Sequence, residues 1–256
     1  MVCCGVPIAN LNIQDAYSKI LKGIGDRRAF PVRHVNAYSL ACAESIPTYR
    51  AILNSNGVNF CDSQNISILY RFVFPSLTKI IKIRGHDLLI YSLNQKSNHR
   101  NIFIGSTPST LEKMKKRIDE QFPLKSNSVY YSPPYDENIE FLVKNIKDNL
   151  VFKENDLIWI AMGTPKQDIV GSYLARELEK VVISIGAAFN FFAGDLPECP
   201  KLLRIMGMEW IFRLLTEPQR LWRRYLFGNS KFLLMILSHY KRDRKMNIQK
   251  KNLIGS

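Results

Sequence analysis

The sequence predicts an α/β fold, a parallel β-sheet covered by helices on both faces, followed by a helical and basic C-terminal appendage. Short runs of β-branched and aromatic residues alternate along the chain with longer segments of helical apolar spacing. Such alternation is typical of parallel sheets built from β-α-β units. After a proline-containing stretch at residues 197–200 the sequence becomes helical and rich in arginine. We therefore expect a core over residues 1–196 and an appendage over residues 197–256.

The individual elements follow in chain order from the same patterns. Short apolar runs bounded by turn residues predict six strands, at residues 30–35, 58–61, 101–104, 129–131, 157–162 and 181–185. Helical spacing of apolar residues predicts four helices between them, at residues 37–55, 110–122, 136–149 and 167–179. The third of these helices rests on Ile139, Leu142, Val143 and Ile146, which recur at helical spacing.

Charge is concentrated at the C-terminal end of the chain. The net charge is +14, and residues 201–256 hold 13 Lys/Arg against 3 Asp/Glu. A basic segment of this kind predicts an acidic partner, namely anionic lipid, a phosphorylated ligand or nucleic acid. The alternative is a tail that only keeps the protein soluble, but the same segment is also rich in large apolar residues.

The cysteines and the apolar runs indicate where the protein works. The five cysteines show no paired metal-ligand spacing, which favours reduced thiols in a cytosol. The first residues lack the basic and apolar regions of a signal peptide, and no apolar run approaches the length of about 18 residues that a membrane span needs. We expect an intracellular protein whose contact with a membrane is peripheral.

Small and polar residues follow the predicted strands. Ligands of open parallel sheets bind outside the carboxyl ends of the strands, and those ends lead here into Asn36, Asp62, Gly105, Gly163 and Gly186. Glycine lets a backbone approach a ligand closely, and the amides at a following helix N-terminus favour phosphate. Asp62 is the only carboxylate among these residues, so it is a candidate base, although it could simply cap the next helix.

Several common ligand motifs are missing from the sequence. It contains neither the dinucleotide fingerprint G-x-G-x-x-G nor the P-loop pattern G-x-x-x-x-G-K-[ST]. No Asp-x-Asp pair is present to hold a divalent metal against a diphosphate, and the four histidines are scattered without ligand spacing. The sequence therefore predicts neither a catalytic metal nor a cofactor.

The appendage combines arginines with aromatic and apolar residues. Arg220, Arg223 and Arg224 recur at helical spacing, which predicts that they share one helix face. An apolar run at 232–237 precedes a cationic run at 241–245, as in an interfacial amphipathic anchor. Arginine binds phosphate bidentately, so this pattern favours phosphates at a membrane surface. An ordinary packed helix with solvated arginines is the alternative.

Several separated motifs together resemble the WecG/TagA/CpsF family of bacterial glycosyltransferases. The most specific are Gly-Thr-Pro-Lys-Gln-Asp at 163–168, Gly-Ala-Ala-Phe-Asn-Phe-Phe-Ala-Gly at 186–194 and Met-Glu-Trp-Ile-Phe-Arg-Leu-Leu-Thr-Glu-Pro at 208–218. Weaker support comes from Asn-Ala-Tyr at 36–38 and Arg-Gly-His-Asp-Leu at 84–88. The likeness spans nearly the whole chain, from about residue 5 to residue 229.

This resemblance implies a Rossmann-like core, an inverting reaction and no catalytic metal. The donor would be a UDP-sugar and the acceptor a polyprenyl-diphosphate-linked saccharide at the cytoplasmic face of the cell membrane, in the synthesis of a cell-surface polysaccharide. The family's base falls on Asp62, its active-site glutamine on Gln167, and its diphosphate-gripping arginines on Arg213, Arg220 and Arg223. The contacts with the nucleotide sugar fall on Asn36, Gly105, Gly163, Pro165, Lys166, Gly186, Phe189 and Asn190.

Some positions depart from the family pattern, and other functions stay open. Asn190 stands where the family often has aspartate, and Lys82 and Glu198 are also unusual. A catalytically silent, membrane-associated partner of a polysaccharide assembly complex is one alternative. A basic nucleic-acid-binding protein is another, but the tail contains no recognised module, so we expect no nucleic acid partner. The sequence leaves the sugar, the acceptor saccharide and the oligomeric state open, and a homo-oligomer remains an option.

Overall fold

The computed structural model describes residues 1–73, 80–97 and 99–254, and for residues 227, 239 and 241–254 it describes the backbone alone. The strands are β1 (Val2–Cys3), β2 (Val6–Pro7), β3 (Pro31–Val35), β4 (Val58–Cys61), β5 (Arg100–Gly105), β6 (Val129–Tyr131), β7 (Asp156–Ala161) and β8 (Val182–Ser184). The helices are α1 (Ile13–Gly25), α2 (Ala37–Ser45), α3 (Pro47–Asn54), α4 (Gln64–Val73), α5 (Gly85–Leu93), α6 (Pro108–Gln121), α7 (Ile139–Asn149), α8 (Lys166–Leu178), α9 (Ala188–Ala193), α10 (Lys201–Ile205), α11 (Glu209–Thr216) and α12 (Pro218–Ile254).

Six strands form one parallel sheet in the order β4-β3-β8-β7-β5-β6. The predicted α/β fold, with its parallel sheet and flanking helices, is therefore confirmed. Strands β1 and β2 form a separate antiparallel pair. Because all six sheet strands run in the same direction, their carboxyl ends lie along the same side of the sheet. Strands β3 and β4 are neighbours there, so the residues that follow them lie close together.

The sheet is buried on both faces, as parallel sheets usually are. Along β7 the side chains alternate: Leu157 and Trp159 belong to one core cluster, and Ile158 and Ile160 to another. Helices α1, α5, α6 and α9 pack on the first face, and α7 and α8 pack on the second. This two-sided burial explains why the strands read as continuous apolar runs in the sequence.

The helix predicted at 37–55 is two helices, because Pro47 cannot donate the backbone hydrogen bond that would continue α2. The helix predicted from residue 136 begins instead at Ile139, where the Asn138 side chain accepts a hydrogen bond from the Phe141 amide as N-cap. Helices α1, α4, α5 and α9 and the β1–β2 pair had no counterpart in the prediction.

The last helix is part of the protein core as well as of the surface. Phe232, Met235 and Ile236 of α12 are buried in a cluster with α2, α3 and α4, whereas Leu233 and Leu234 are exposed. The expectation that residues 232–237 form one apolar surface patch is thus wrong in part, because helical periodicity divides the run between two faces. The side chains of the cationic run 241–245 lie outside those that the structure describes.

Candidate active site

A cavity of about 700 Å³ opens at the carboxyl ends of the sheet strands, and residues of α11 and α12 close one side of it. Ten of the residues expected to form the site line this cavity: Asn36, Asp62, Gly105, Gly163, Lys166, Gln167, Gly186, Asn190, Arg213 and Arg220.

Three other residues expected at the site lie elsewhere. Pro165 follows a cis peptide bond at the start of α8 and is not part of the cavity wall. Phe189 is fully buried in the core, where its ring packs edge-on against Phe103. Arg223 is exposed, with its guanidinium 5.1 Å from the centre of the Trp222 ring.

Asp62 lies directly after β4, and its own amide donates a hydrogen bond of 2.9 Å to the Val35 carbonyl. One oxygen of its carboxylate accepts a hydrogen bond of 3.3 Å from the amide of Gly85. Residue 85 must be small for this contact to form, because a Cβ there would lie 2.8 Å from the carbonyl oxygen of Ile185. The Asp62 carboxylate is therefore held by backbone at the edge of the cavity, without a side-chain cation in direct contact among the described residues.

The surroundings of Asp62 raise the pKa of its carboxyl into the neutral range. Burial raises the pKa of Asp62 to about 7, and the negative charge of Glu209 adds to this effect. The charges of Arg84 and Arg213 and the hydrogen bond from Gly85 oppose the shift without cancelling it. A carboxylate with a pKa near 7 can both accept and release a proton at physiological pH, as a general base must.

Glu209, the first residue of α11, joins the appendage to the core beside Asp62. Its carboxylate lies 3.4 Å from Nη2 of the buried Arg84 and 3.6 Å from Nζ of Lys82. Nearby, Glu198 approaches Nδ1 of His86 to 2.9 Å. Two of the positions that depart from the family pattern, 82 and 198, thus take part in contacts between the strand-end loops and the segment that leads into the appendage.

Gln167 ties two glycine-containing loops together. Its side-chain oxygen accepts hydrogen bonds from the amides of Gly163, at 3.2 Å, and Gly186, at 3.1 Å. Both glycines have positive φ angles, +80° and +61°, which favour glycine. Gly105 is restricted further, since a Cβ there would lie 2.4 Å from the carbonyl oxygen of Ala161. Gln167 thus fixes the backbone after β7 relative to the backbone after β8.

Two of the expected ligand-binding residues have structural partners. Asn36 caps α2, because its side-chain oxygen accepts a hydrogen bond of 3.1 Å from the Ser39 amide. Lys166 donates to the carbonyl of Asp136 at 2.7 Å and lies 4.3 Å from the centre of the Tyr135 ring. Lys166 therefore fastens the loop after β6 over the cavity, and the exposed Tyr135 stands at the cavity mouth.

The arginines of the appendage differ in how they are paired. Arg213 and Arg220 both pair with Glu217, yet the Nε of Arg213 is buried without a hydrogen-bond partner among the described residues. Arg224 packs over the Tyr38 ring, 4.3 Å from its centre, and forms no ion pair in the described part of the chain. Burial lowers the pKa of Arg224.

The three arginines lie within an arc of about 100° on α12, as their spacing predicts, but Arg220 and Arg224 line the large cavity whereas Arg223 is exposed. Arg224 lines both the large cavity and a second one of about 70 Å³. Asp62, Glu209 and Arg213 also line both cavities, so the carboxylate and the cations stand where the two spaces meet. That arrangement suits a reaction in which the carboxylate takes a proton from one molecule while the cations stabilise negative charge on a phosphate group of the other.

The sequence motifs contained Arg84 and Glu209, but their pairing across 125 positions was missed. His34 was also missed, since an isolated histidine in a strand carries no signal of its own; it is buried and lines the cavity.

In the described ranges no helix is long and apolar enough to cross a membrane. Within the same ranges no three His, Cys, Asp or Glu side chains are grouped as metal ligands would be.

Comparisons with known proteins agree on one family. The family model described as "Glycosyl transferase WecG/TagA/CpsF family" matches residues 1–246. The chain is similar to the N-acetylglucosaminyldiphosphoundecaprenol N-acetyl-beta-D-mannosaminyltransferase of Bacillus spizizenii strain W23. That similarity amounts to 25% identity over 202 residues, which cover 78% of this chain and 75% of the Bacillus enzyme. With nearly its whole length matched, the chain belongs to the WecG/TagA/CpsF family of glycosyl transferases.

Proposed function

We propose that the protein transfers a sugar, with inversion and without a metal ion, from a UDP-sugar to a saccharide linked to polyprenyl diphosphate. The product would serve the synthesis of a bacterial cell-surface polysaccharide. The observation that carries the proposal is the position of Asp62, a carboxylate with a pKa raised to about 7, at the junction of two cavities that arginines also line.

The chemistry requires one proton acceptor and stabilisation of one leaving group. Asp62 takes the proton of the acceptor hydroxyl as that oxygen attacks the anomeric carbon of the donor. The bond between the anomeric carbon and the diphosphate oxygen breaks on the opposite face, and its electron pair leaves with UDP. The developing negative charge meets Arg213 and Arg224 on the appendage side of the large cavity, and fixed cations of this kind stabilise such charge most effectively where water is excluded.

The shape of the site supports separate positions for the donor and the acceptor. The glycine-containing loops after β5, β7 and β8 let backbone amides approach a nucleoside diphosphate in the large cavity. The smaller cavity, between α4 and the appendage, reaches Asp62 from another side and is the entry that we assign to the acceptor. The printed name of the Bacillus relative, with its diphosphoundecaprenol acceptor, supports an acceptor of the same class here.

A lipid-linked acceptor requires the protein to work at a membrane surface. The appendage exposes several large apolar side chains, namely Leu202, Ile205, Met206, Leu215 and Trp222. They accompany the basic charge of residues 201–256, and this combination favours adsorption to anionic lipid. We place the protein at the cytoplasmic face of the cell membrane, as a peripheral protein.

The test is a transfer assay with purified full-length protein. It combines a panel of UDP-sugars with a soluble polyprenyl-diphosphate-linked N-acetylglucosamine analogue and measures UDP release together with product mass. We expect turnover with one or a few donors, retained in EDTA and lost in Asp62→Asn. Since general-base contributions are typically about 10²–10⁴-fold, an Asp62→Asn variant that keeps most of the wild-type rate would remove Asp62 from the mechanism. Absence of turnover with every donor would favour the catalytically silent partner instead.

A further inference from the structure

His34 lines the large cavity, and one of its two ring nitrogens has no hydrogen-bond partner in the described part of the chain. The residue is 3% exposed and lines the cavity wall. Its Nδ1 lies 2.9 Å from the carbonyl oxygen of Ser184, and the Phe60 ring packs against it with the ring centres 5.8 Å apart. The imidazole is thus fixed on both sides, by a backbone group of β8 and by an aromatic ring of β4.

The contact with Ser184 determines which nitrogen carries the proton. A carbonyl oxygen can only accept, so Nδ1 must donate, and in a neutral ring Nε2 is then an acceptor. Burial lowers the pKa of His34 to about 4, so the ring is neutral at physiological pH. Nε2 has no hydrogen-bond partner among the described residues. An acceptor that stays unpaired in a buried position is destabilising, and the described residues supply no donor.

The chemistry of Nε2 selects the part of a ligand that it can contact. A lone pair is repelled by the oxygens of a diphosphate, which are themselves acceptors, and it attracts a hydroxyl or an amide N–H. The order of the strands also locates His34 within the site. Its strand, β3, lies between β4, which leads to Asp62, and β8, which leads to Gly186. Adjacent strands are about 4.8 Å apart, so His34 lies close to the proposed base, whereas Gly105 follows β5 and is separated from β3 by β8 and β7.

We propose that Nε2 of His34 accepts a hydrogen bond from a hydroxyl or amide N–H of the sugar that is transferred, and thereby contributes to the choice of donor. The inference rests on the proposed function, since it needs a nucleotide sugar in the large cavity. The sugar, and not UDP, would supply the donor that Nε2 lacks among the described residues.

Two substitutions separate the two nitrogens of the ring. In His34→Asn the side-chain amide can still donate to the Ser184 carbonyl, but nothing reaches the position of Nε2. In His34→Gln the longer side chain places a carbonyl oxygen near the position of Nε2. The measurements are dissociation constants for UDP and for the UDP-sugar that the wild type binds most tightly among UDP-glucose, UDP-N-acetylglucosamine and UDP-N-acetylmannosamine. The melting temperature of each variant reports on folding.

We expect His34→Asn to bind that UDP-sugar about tenfold more weakly, in line with the loss of one buried hydrogen bond, and to bind UDP as the wild type does. His34→Gln should stay closer to the wild type for both ligands. Equal weakening of UDP and UDP-sugar, or no change in either, would overturn the proposal, as would an effect confined to the KM of the acceptor. The proposed function itself is tested separately, by turnover of the wild type with a panel of UDP-sugars, and its failure there is visible before any variant is made.

Discussion

Glu209 of α11 and Arg84 of the segment before α5 form an ion pair, with Oε1 and Nη2 3.4 Å apart. Both side chains line the large cavity beside Asp62, and both act on the pKa of that carboxyl, in opposite directions. The appendage therefore contributes to the electrostatics of the proposed base as well as to the cavity wall. A boundary at residue 196 divides the chain by composition, but the site is assembled from both sides of it.

Activity should depend on the ionisation of Asp62. A base must be deprotonated to accept a proton, and the pKa of Asp62 is raised to about 7. We therefore expect kcat/KM to rise about tenfold per pH unit below pH 7 and to level off above it. The measurement is a pH profile of transfer between pH 5 and pH 9, with UDP binding followed in parallel as the control. A rate that stays level down to pH 5 would show that this carboxyl is not the titrating base.

Glu209→Gln should move that profile to lower pH. The substitution removes a negative charge that raises the pKa of Asp62 and leaves Arg84 without one of its two acidic partners, and both changes favour the ionised carboxylate. The acidic limb of the profile should shift down by a measurable fraction of a pH unit or more. Glu198→Gln is the matched control, because it also loses a contact between core and appendage but is not among the charges that act on Asp62. A shift of the same size in both variants would point to loosened packing instead of electrostatics.

Arg224 should matter for turnover, whereas its neighbour Arg223 should not. Arg224 lines both cavities and has no carboxylate partner in the described ranges, while Arg223 is exposed against Trp222. Loss of a charged hydrogen bond costs about 1.5–3 kcal/mol, so Arg224→Gln should lower kcat/KM about 10- to 100-fold. Arg223→Gln removes the same charge one position away and should stay within about threefold. The ordering of the two variants is decisive, and a larger loss in Arg223→Gln would contradict the structure.

Gly85→Ala should disturb the site by a direct clash. The added methyl group would lie 2.8 Å from both the carbonyl oxygen and the Cβ of Ile185, and overpacking of this kind costs about 1–3 kcal/mol. For a chain of this size each kcal/mol lowers the melting temperature by roughly 2–4 °C. Turnover should fall by more than any loss of folded protein can explain, because the amide of residue 85 holds the Asp62 carboxylate. Gly25→Ala is the control, since nothing lies within 4 Å of a Cβ there; equal effects in the two variants would refute the argument from the clash.

The sheet could be predicted from the sequence because its strands are buried on both faces and so read as unbroken apolar runs. Asp62 could be placed for a related reason, since the carboxyl ends of parallel strands share one edge and a carboxylate there is conspicuous. The break between α2 and α3 was missed although Pro47 marks it. Helix α9 has only six residues, too few for a helical period to show.

The remaining features depend on packing that no local pattern encodes. Helical spacing cannot decide between Arg223 and Arg224, because only the docking of α12 on α2 determines which of them meets the cavity. The pairing of Arg84 with Glu209 joins positions far apart in the chain. The unpaired nitrogen of His34 depends on the carbonyl of Ser184 in a neighbouring strand, which a strand pattern does not reveal.

The exposed leucines of α12 should serve membrane binding without serving the fold. Leu233, Leu234 and Leu237 are exposed, whereas Met235 and Ile236 between them are buried against the core. Replacing the three leucines by serine removes apolar area that could enter a lipid surface and leaves the buried contacts in place, so flotation with anionic liposomes should fall while the melting temperature holds. Met235→Ser with Ile236→Ser is the matched comparison, which should instead lower the melting temperature, because large-to-small substitutions in a core typically cost about 2–5 kcal/mol for each side chain. Turnover on a soluble acceptor analogue should survive the leucine substitutions, since none of the three leucines lines the cavity. If the leucine variant floats like the wild type, adsorption depends on the basic charge or on the apolar residues of α10 and α11, and α12 acts chiefly as a cover for the core.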